Sequence, residues 1–261
     1  MGEQSGLLPA ATVLLVRDGP TGLETFMVVR HHQIDFASGA LVFPGGKIDD
    51  GDRAVRDLCD GIGDADDLHV AMMVGAVREA FEECGVLLAR EEGREGLITA
   101  SRLADLDHFR DELHGGRLGL RDFLEREGLR LACDQLRHFA HWITPPIVPK
   151  RFDTHFYLAP APPDHLAIHD GHESVDSVWI NPGDAVAGGQ DGTYTIIFPT
   201  VRNLEMLGQS GDVVGAMAAA AERSIVTVLP WMERRDDGNY LCIPPEAGYA
   251  VSEERMPDRA P

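Results

Sequence analysis

Residues 76–88 read AVREAFEECGVLL. Met73, Val77, Ala80, Phe81, Cys84 and Leu88 recur three and four residues apart, so the spacing predicts one amphipathic helix running from about Leu68 to Arg90. Asp67 is the expected N-cap. The same helix carries Glu79, Glu82 and Glu83. At about 100° per residue these three fall within an arc of roughly 100°. Carboxylates so placed repel unless something cationic sits among them. Arg78, one turn before Glu82, is near enough for an ion pair that holds that side chain in one rotamer. Gly85 is expected inside the helix, where a glycine costs about 1 kcal/mol relative to alanine and so marks a close backbone approach. Taken alone, an acidic helix face is a solvated face. Its company in the chain changes that reading.

Upstream, GALVFPGGKIDDGD at 39–52 is expected to form a short strand that runs into a Gly-Gly loop. Gly45 and Gly46 at a strand end let a backbone approach an oxyanion or turn sharply, although the same residues also make a plain turn. Before them, ATVLLVRDG and ETFMVVRHH flank a Gly-Pro-Thr-Gly turn and predict a hairpin. Residues 53–67 are polar and rich in Gly and Asp, an expected insertion with at most one short helix, RAVRDL.

Two further helices are expected in SRLADLDHFRDELH and GLRDFLEREGL, within a helical insertion at about 100–130. Strands follow in LRHFAHWITPP, RFDTHFYLAPAP and ESVDSVWINP, then helices near TVRNLEMLGQ and DVVGAMAAAAER, with SIVTVLP and NYLCIPP as closing strands. The predicted architecture is a single α/β domain over 8–245 with a mixed sheet, followed by a loose C-terminal tail at 246–261.

The 261 residues are 44% hydrophobic and 25% charged, the composition of a soluble globular chain. No apolar run reaches the roughly 18 residues of a membrane span. The N-terminus has no basic head of the kind that precedes a signal peptide. Cys59, Cys84, Cys133 and Cys242 are scattered without short pairs, which suggests neither a zinc knuckle nor a disulfide framework and places the chain in a reduced cytoplasm. With 23 basic and 43 acidic residues the formal charge is −20, against a general nucleic-acid or anionic-membrane surface. A small anionic substrate is compatible with that charge only if metal ions reverse its sign locally.

Gly46, five residues, Asp52, a linker, and then Arg78-Glu79-Ala80-Phe81-Glu82-Glu83-Cys84-Gly85-Val86 together resemble the signature of the Nudix hydrolases. Two features depart from the family pattern. Asp52 stands where that family usually has glutamate, and the 25-residue linker from Asp52 to Arg78 is far longer than the usual spacing. Loop-closure entropy prices such a lengthening at only about 1 kcal/mol. The long linker, Gly39-x-x-x-Phe43-Pro44-Gly45-Gly46, and the stretches HWITPP, KRFDTHFYLA and ESVDSVWINP resemble the branch that includes the peroxisomal coenzyme A diphosphatases. Asp35 stands where that branch has a basic residue, and the C-terminal Arg259-Ala260-Pro261 is no peroxisomal address.

The resemblance implies a Nudix-type α/β/α sandwich with added helices, and a Mg²⁺- or Mn²⁺-dependent enzyme that cleaves a nucleoside diphosphate linked to another group. Coenzyme A or an acyl derivative is the first expected substrate. ADP-ribose, a dinucleotide or a nucleotide sugar is the alternative, and a Nudix module that senses a nucleotide without cleaving it is the reading of another class. Glu79 and Glu83 are the implied metal ligands, with Glu82 a third ligand or the residue that orients water. Arg78 would fix carboxylate geometry, and Gly45 and Gly46 would shape the floor of the site. Glu173, in HDGHESVD, is the candidate general base outside the signature. Arg30, with His31 and His32, and the group Lys150, Arg151 and Phe152 are candidate substrate contacts. His165, His169 and His172 make no ligand set and are read as surface. The expected partner is a small nucleotide-diphosphate molecule, with no nucleic acid and no membrane, and the chain is compatible with a homodimer.

Overall fold

Alternation along the first hairpin sets the layers of the protein, seen in a computed structural model that describes residues 6–30, 39–170 and 174–256. In β1 (Leu8–Gly19), Ala11, Val13 and Leu15 point to one side and Leu14 and Val16 to the other, and all five are buried. A strand buried on both faces needs a layer of helices on each. β1 pairs antiparallel with β2 (Gly22–Arg30) through a tight turn at Pro20 and Thr21. Next come β3 (Leu41–Val42), β4 (Gly45–Lys47), α1 (Asp50–Arg53), β5 (Cys59–Asp60), α2 (Asp67–Cys84) and β6 (Ala89–Glu91). The middle of the chain forms α3 (Ala100–Leu106), α4 (Arg110–His114), α5 (Leu120–Glu127), β7 (Leu129–Ala132), β8 (Arg137–Ile143), β9 (Phe152–Pro160) and β10 (Ser174–Ile180). The last part adds α6 (Pro182–Asp191), α7 (Phe198–Leu207), α8 (Val213–Glu222), β11 (Thr227–Val228), β12 (Trp231–Arg235), β13 (Gly238–Cys242) and β14 (Glu253–Arg255).

Among the described residues the main sheet has eight strands in the order β10-β2-β1-β9-β8-β11, with β3 on β2 and β4 on β1. The pairs β1–β9 and β8–β11 are parallel and the others antiparallel, so the sheet is mixed. One core joins α2 and the α3–α5 region to the Ala11, Val13 and Leu15 face. The other packs α6, α7 and α8 on the Leu14 and Val16 face. Two three-stranded sheets, β12-β13-β14 and β5-β7-β6, flank this α/β/α arrangement. No helix among the described residues is long and apolar enough to cross a membrane, and all four cysteines are buried and free.

Several sequence expectations are corrected at element ends. α2 is capped by Asp66, whose side chain accepts from the His69 N–H at 2.8 Å, so Asp67 is its first turn and not its cap. It stops at Cys84 because Gly85 takes a left-handed conformation, φ 67°, and closes the helix. Val86–Leu88 remain buried outside any helix or strand, which is why they look helical by hydrophobicity alone. RAVRDL is no helix: α1 begins earlier, and Arg56–Leu58 form a single 3₁₀ turn. Gly45 and Gly46 lie in β4, paired with Thr12 and Ala11, and not in a loop. The SRLADLDHFRDELH helix is interrupted by a 3₁₀ turn at Asp107–Phe109. Glu253–Arg255 pair with β13, so that part of the C-terminal segment is sheet and not loose chain. α6 was not expected, although Asn181 caps it at Gly183 N–H and Pro182 opens it.

Candidate active site

α2 runs under the sheet with every residue from Val70 to Cys84 buried, because the sheet covers one side and α1, α4 and α5 cover the other. The acidic edge is therefore no solvated face: Glu79, Glu82 and Glu83 are all buried, at 9%, 5% and 4% exposure. Such burial is costly for carboxylates unless charge is supplied close by.

Arg78 supplies part of it. Its Nε and Nη2 donate to the two oxygens of Asp52 at 2.8 and 3.0 Å, a bidentate pair. Nη2 also donates to the Lys47 carbonyl at 2.9 Å, and Nη1 to Glu79 Oε1 at 2.9 Å and Glu82 Oε2 at 3.4 Å. Asp52, 1% exposed, accepts in addition from the Asp49 N–H at 2.9 Å, closing a capping box at the start of α1. The shorter acid thus braces strand end, α1 and α2 together.

The glycines fit against the other two acids. Gly45 N–H donates to Glu83 Oε2 at 2.9 Å. A Cβ on Gly46 would sit 2.4 Å from Glu79 Oε1, and one on Gly45 would sit 2.4 Å from the Ala11 carbonyl. Neither position has room for a side chain. Behind α2, Gly75 makes way for Ile48 and Asp52, since a Cβ there would lie 2.4 Å from Ile48 Cδ1.

Two residues that sequence reasoning missed complete the frame. Arg110 donates through Nε and Nη2 to the Glu82 carbonyl at 3.2 and 3.1 Å, and through Nη2 to the Ile168 carbonyl at 3.3 Å. His114 Nδ1 lies 3.7 Å from Glu82 Oε2. Both sit on α4, whose sequence carries no signal beyond amphipathic spacing.

Among the described residues, Arg78 pairs with Asp52, Glu79 and Glu82, one guanidinium against three acids. Burial pushes the Glu79 and Glu82 carboxyls up to about 7 against the pull of Arg78. A set of oxygen donors with missing positive charge suits a hard divalent cation that keeps part of its shell for a substrate phosphate. Glu79, Glu82 and Glu83 are the residues that would hold it.

Of the other sequence candidates, Arg30 closes β2 in the same alternation as Phe26 and Val28, toward the α2 side, and its Nε is buried without a hydrogen-bond partner. Arg151 is tied up by the Thr144 carbonyl at 2.9 Å. Phe152 alternates with Phe156 and Leu158, on the face away from α2, with Lys150 Nζ 5.6 Å from its ring centroid. Strand alternation therefore separates Phe152 from the carboxylates. His165 is corrected from surface to core: it is buried, with Nε2 2.9 Å from the Ile98 carbonyl. His169 Nδ1 contacts Ser177 Oγ at 3.0 Å. Glu173, His31, His32, Asp35 and His172 lie outside the described residues.

Comparison with known proteins shows the family to which the chain belongs. Over residues 59–207, more than half of the chain, the sequence matches the family described as the NUDT19 Nudix domain. The chain belongs to that family and so to the Nudix hydrolases. The putative nudix hydrolase 7 of Caenorhabditis elegans is 27% identical over 205 residues, which cover 78% of this chain and 61% of the worm protein. The match thus spans about three-fifths of that relative's length. The crystal structure of a NUDIX hydrolase from Alicyclobacillus acidocaldarius is similar with a TM-score of 0.66 at 28% identity, covering 82% of this chain and 96% of that one. The family match begins after Gly45, Gly46 and Asp52, so their part in the site rests on the contacts described above.

Proposed function

We propose that the chain is a Mg²⁺- or Mn²⁺-dependent diphosphatase that hydrolyses the diphosphate linkage of a nucleoside diphosphate derivative, coenzyme A or an acyl-coenzyme A first among them. The observation that carries the reading is the buried set Glu79, Glu82 and Glu83, with Arg78 paired to the first two and Glu83 pinned to the Gly45 N–H at 2.9 Å. When bound, the cation supplies the positive charge that draws a polyanion to a protein of −20 and polarises a bridging phosphoryl oxygen. Glu79 and Glu83 would hold it, while Glu82, steadied from Arg78 and His114, would serve as a third ligand or as the group that orients the water and accepts its proton. Water adds to one phosphorus, the P–O–P bridge breaks, and two phosphomonoesters leave. Arg30, with its unpartnered Nε, is the proposed phosphate contact on the sheet side. Glu173 is the proposed alternative base.

The coenzyme A assignment is supported by the NUDT19 Nudix domain match and by the Gly39-to-Gly46 pattern. A purely sensing module has no need of Asp52 clamped to Arg78 and Asp49, and that contact favours catalysis. The test is a panel of coenzyme A, acyl-coenzyme A, ADP-ribose, NADH and nucleotide sugars with Mg²⁺ or Mn²⁺, products separated by chromatography. Coenzyme A or its acyl ester should be turned over fastest, and Glu83→Gln should lose at least about a hundredfold in rate. Tight binding of one compound with no turnover of any, or equal rates in wild type and Glu83→Gln, would overturn the reading. A loss in Glu173→Gln as deep as in Glu83→Gln would move the base from Glu82 to Glu173.

A further inference from the structure

On the α2 side of the main sheet, toward its β11 edge, lies a cluster of histidines that the carboxylate site does not use. His141 on β8 stands directly opposite His155 on β9, and Asp153 is paired with Ile143, one diagonal step away. Asp153 and His155 are two residues apart on one strand and so share a face. A register shift between His138 and Ala140 brings His138 to the face of His141, which a three-residue spacing on a regular strand would not do. The His141 and His155 rings stack with centroids 4.1 Å apart, and His69 of α2 meets the His138 and His155 rings edge-on at 5.1 and 5.6 Å.

We propose that His141, Asp153 and His155 form a second cation site, one that takes a transition metal of the zinc class. A ligand atom from each lies within 4.8 Å of the others. Asp153 Oδ1 is 2.5 Å from His141 Nε2 and 3.9 Å from His155 Nε2. Around tetrahedral zinc, ligand atoms stand about 3.3 Å apart, as follows from metal–ligand distances near 2 Å. The first pair opens by less than about 1 Å, the second closes by about half that, and the His141 and His155 nitrogens, within 4.8 Å of each other, close by up to about 1.5 Å. The outer nitrogens are already held: His141 Nδ1 is 2.8 Å from Thr227 Oγ1, and His155 Nδ1 is 3.0 Å from His138 Nε2. Without a cation the His141 Nε2–H donates to the Asp153 carboxylate, so binding would displace that proton. Thr227 Oγ1 and His138 Nε2 would then accept from the two Nδ1–H groups. The side chains are 13–28% exposed, which leaves a fourth position for water.

Two imidazoles and one carboxylate select zinc, cobalt or nickel, whereas the all-oxygen set on α2 suits Mg²⁺ or Mn²⁺. His69 and Glu79 are separated by ten residues of α2, about 15 Å along its axis, so the two sites are distinct. A cation here would staple β8 to β9 and, through Thr227, to β11.

The test is a Co²⁺ titration of the full chain in excess Mg²⁺, read by visible absorption. One equivalent should produce the intense bands of tetrahedral cobalt, and added Zn²⁺ should abolish them. Glu83→Gln should leave them intact, while His155→Gln and Asp153→Asn should weaken binding at least tenfold with wild-type far-ultraviolet circular dichroism. X-ray absorption of the zinc-loaded wild type should show imidazole scattering, a readout that needs no variant. No saturable binding in the wild type, zinc without imidazole ligation, or bands lost in Glu83→Gln and kept in His155→Gln would each overturn the proposal. In those cases the cluster is an interstrand hydrogen-bond network only.

Discussion

Removing the guanidinium at position 78 should cost more than any other single change in the carboxylate site. In Arg78→Met the alkyl stem is kept while Asp52, 1% exposed, loses its two donors at 2.8 and 3.0 Å. Leaving a buried charge without its partner costs about 3–5 kcal/mol. The expected loss in Arg78→Met at pH 7 is therefore about 4 kcal/mol.

Asp52→Asn in the Arg78→Met background removes the charge that needed a partner and keeps an acceptor for the Asp49 N–H, now held to Asp52 at 2.9 Å. Most of the loss at pH 7 should then be recovered, a coupling of roughly 2–3 kcal/mol between neighbours that are far from additive. Urea unfolding of metal-free protein at pH 7, with midpoint and slope compared across the four forms, measures it. A loss below about 1 kcal/mol in Arg78→Met, or two losses that simply add in the double variant, would refute the view that Arg78 compensates Asp52.

Gly46→Ala places a methyl 2.4 Å from Glu79 Oε1 and should shift that carboxylate by about 1 Å, weakening Mn²⁺ affinity about tenfold by electron paramagnetic resonance with little change in Tm. Asp52→Glu, which installs the residue usual in the family, should destabilise by about 1–3 kcal/mol in urea unfolding, because the side chain is sealed between Arg78, Asp49 and Gly75. Glu79 and Glu82 are raised to about 7 in the fold from ordinary carboxyl values. Their contribution to metal-free stability is thus full below about 4.5 and lost as pH rises through about 7. A bound cation needs them ionised, so the rise in Tm on adding Mn²⁺ should grow from pH 5.5 to pH 8, and a pH-independent rise would contradict the burial argument.

How much of this was legible in the sequence depends on whether a residue's role is local. The α2 pattern, the hairpin and the Arg78-to-Val86 run are written in short spacing, and the structure brings Gly45, Gly46, Arg78, Glu79, Glu82 and Glu83 together. The end of α2 is not legible, because Val86–Leu88 are as buried outside the helix as they would be in it, so hydrophobicity does not separate the two. Arg110 acts on Glu82 across 28 residues, a contact that no local pattern encodes. The same holds for the histidine cluster, which a register shift and the meeting of His69 with two strands assemble. Phe152 was placed by proximity to basic residues, whereas strand alternation decides its face.

The two departures from the family signature are one arrangement seen twice. An aspartate reaches less far than a glutamate, so its backbone must come closer to Arg78, and α1 brings it there. Asp52 is the third residue of that short helix, where its side chain turns back to the Asp49 N–H and still presents both oxygens to Arg78. A helix turn at this point sends the chain away from the site, and the return to α2 needs length, which the 25 residues between Asp52 and Arg78 provide. That length is not left as free loop. Cys59 and Asp60 add as β5 to β7, and Arg130 fastens Asp60 at 2.7 Å, so the segment is tied to the α3–α5 side of the core before Asp66 starts α2. Pinning the middle adds a second closure, which by the same logarithm costs more entropy than one long loop, so the β5–β7 pairing and the Arg130–Asp60 contact must offset it. The short acid, the extra helix turn and the long linker then belong together, and each makes the others tolerable.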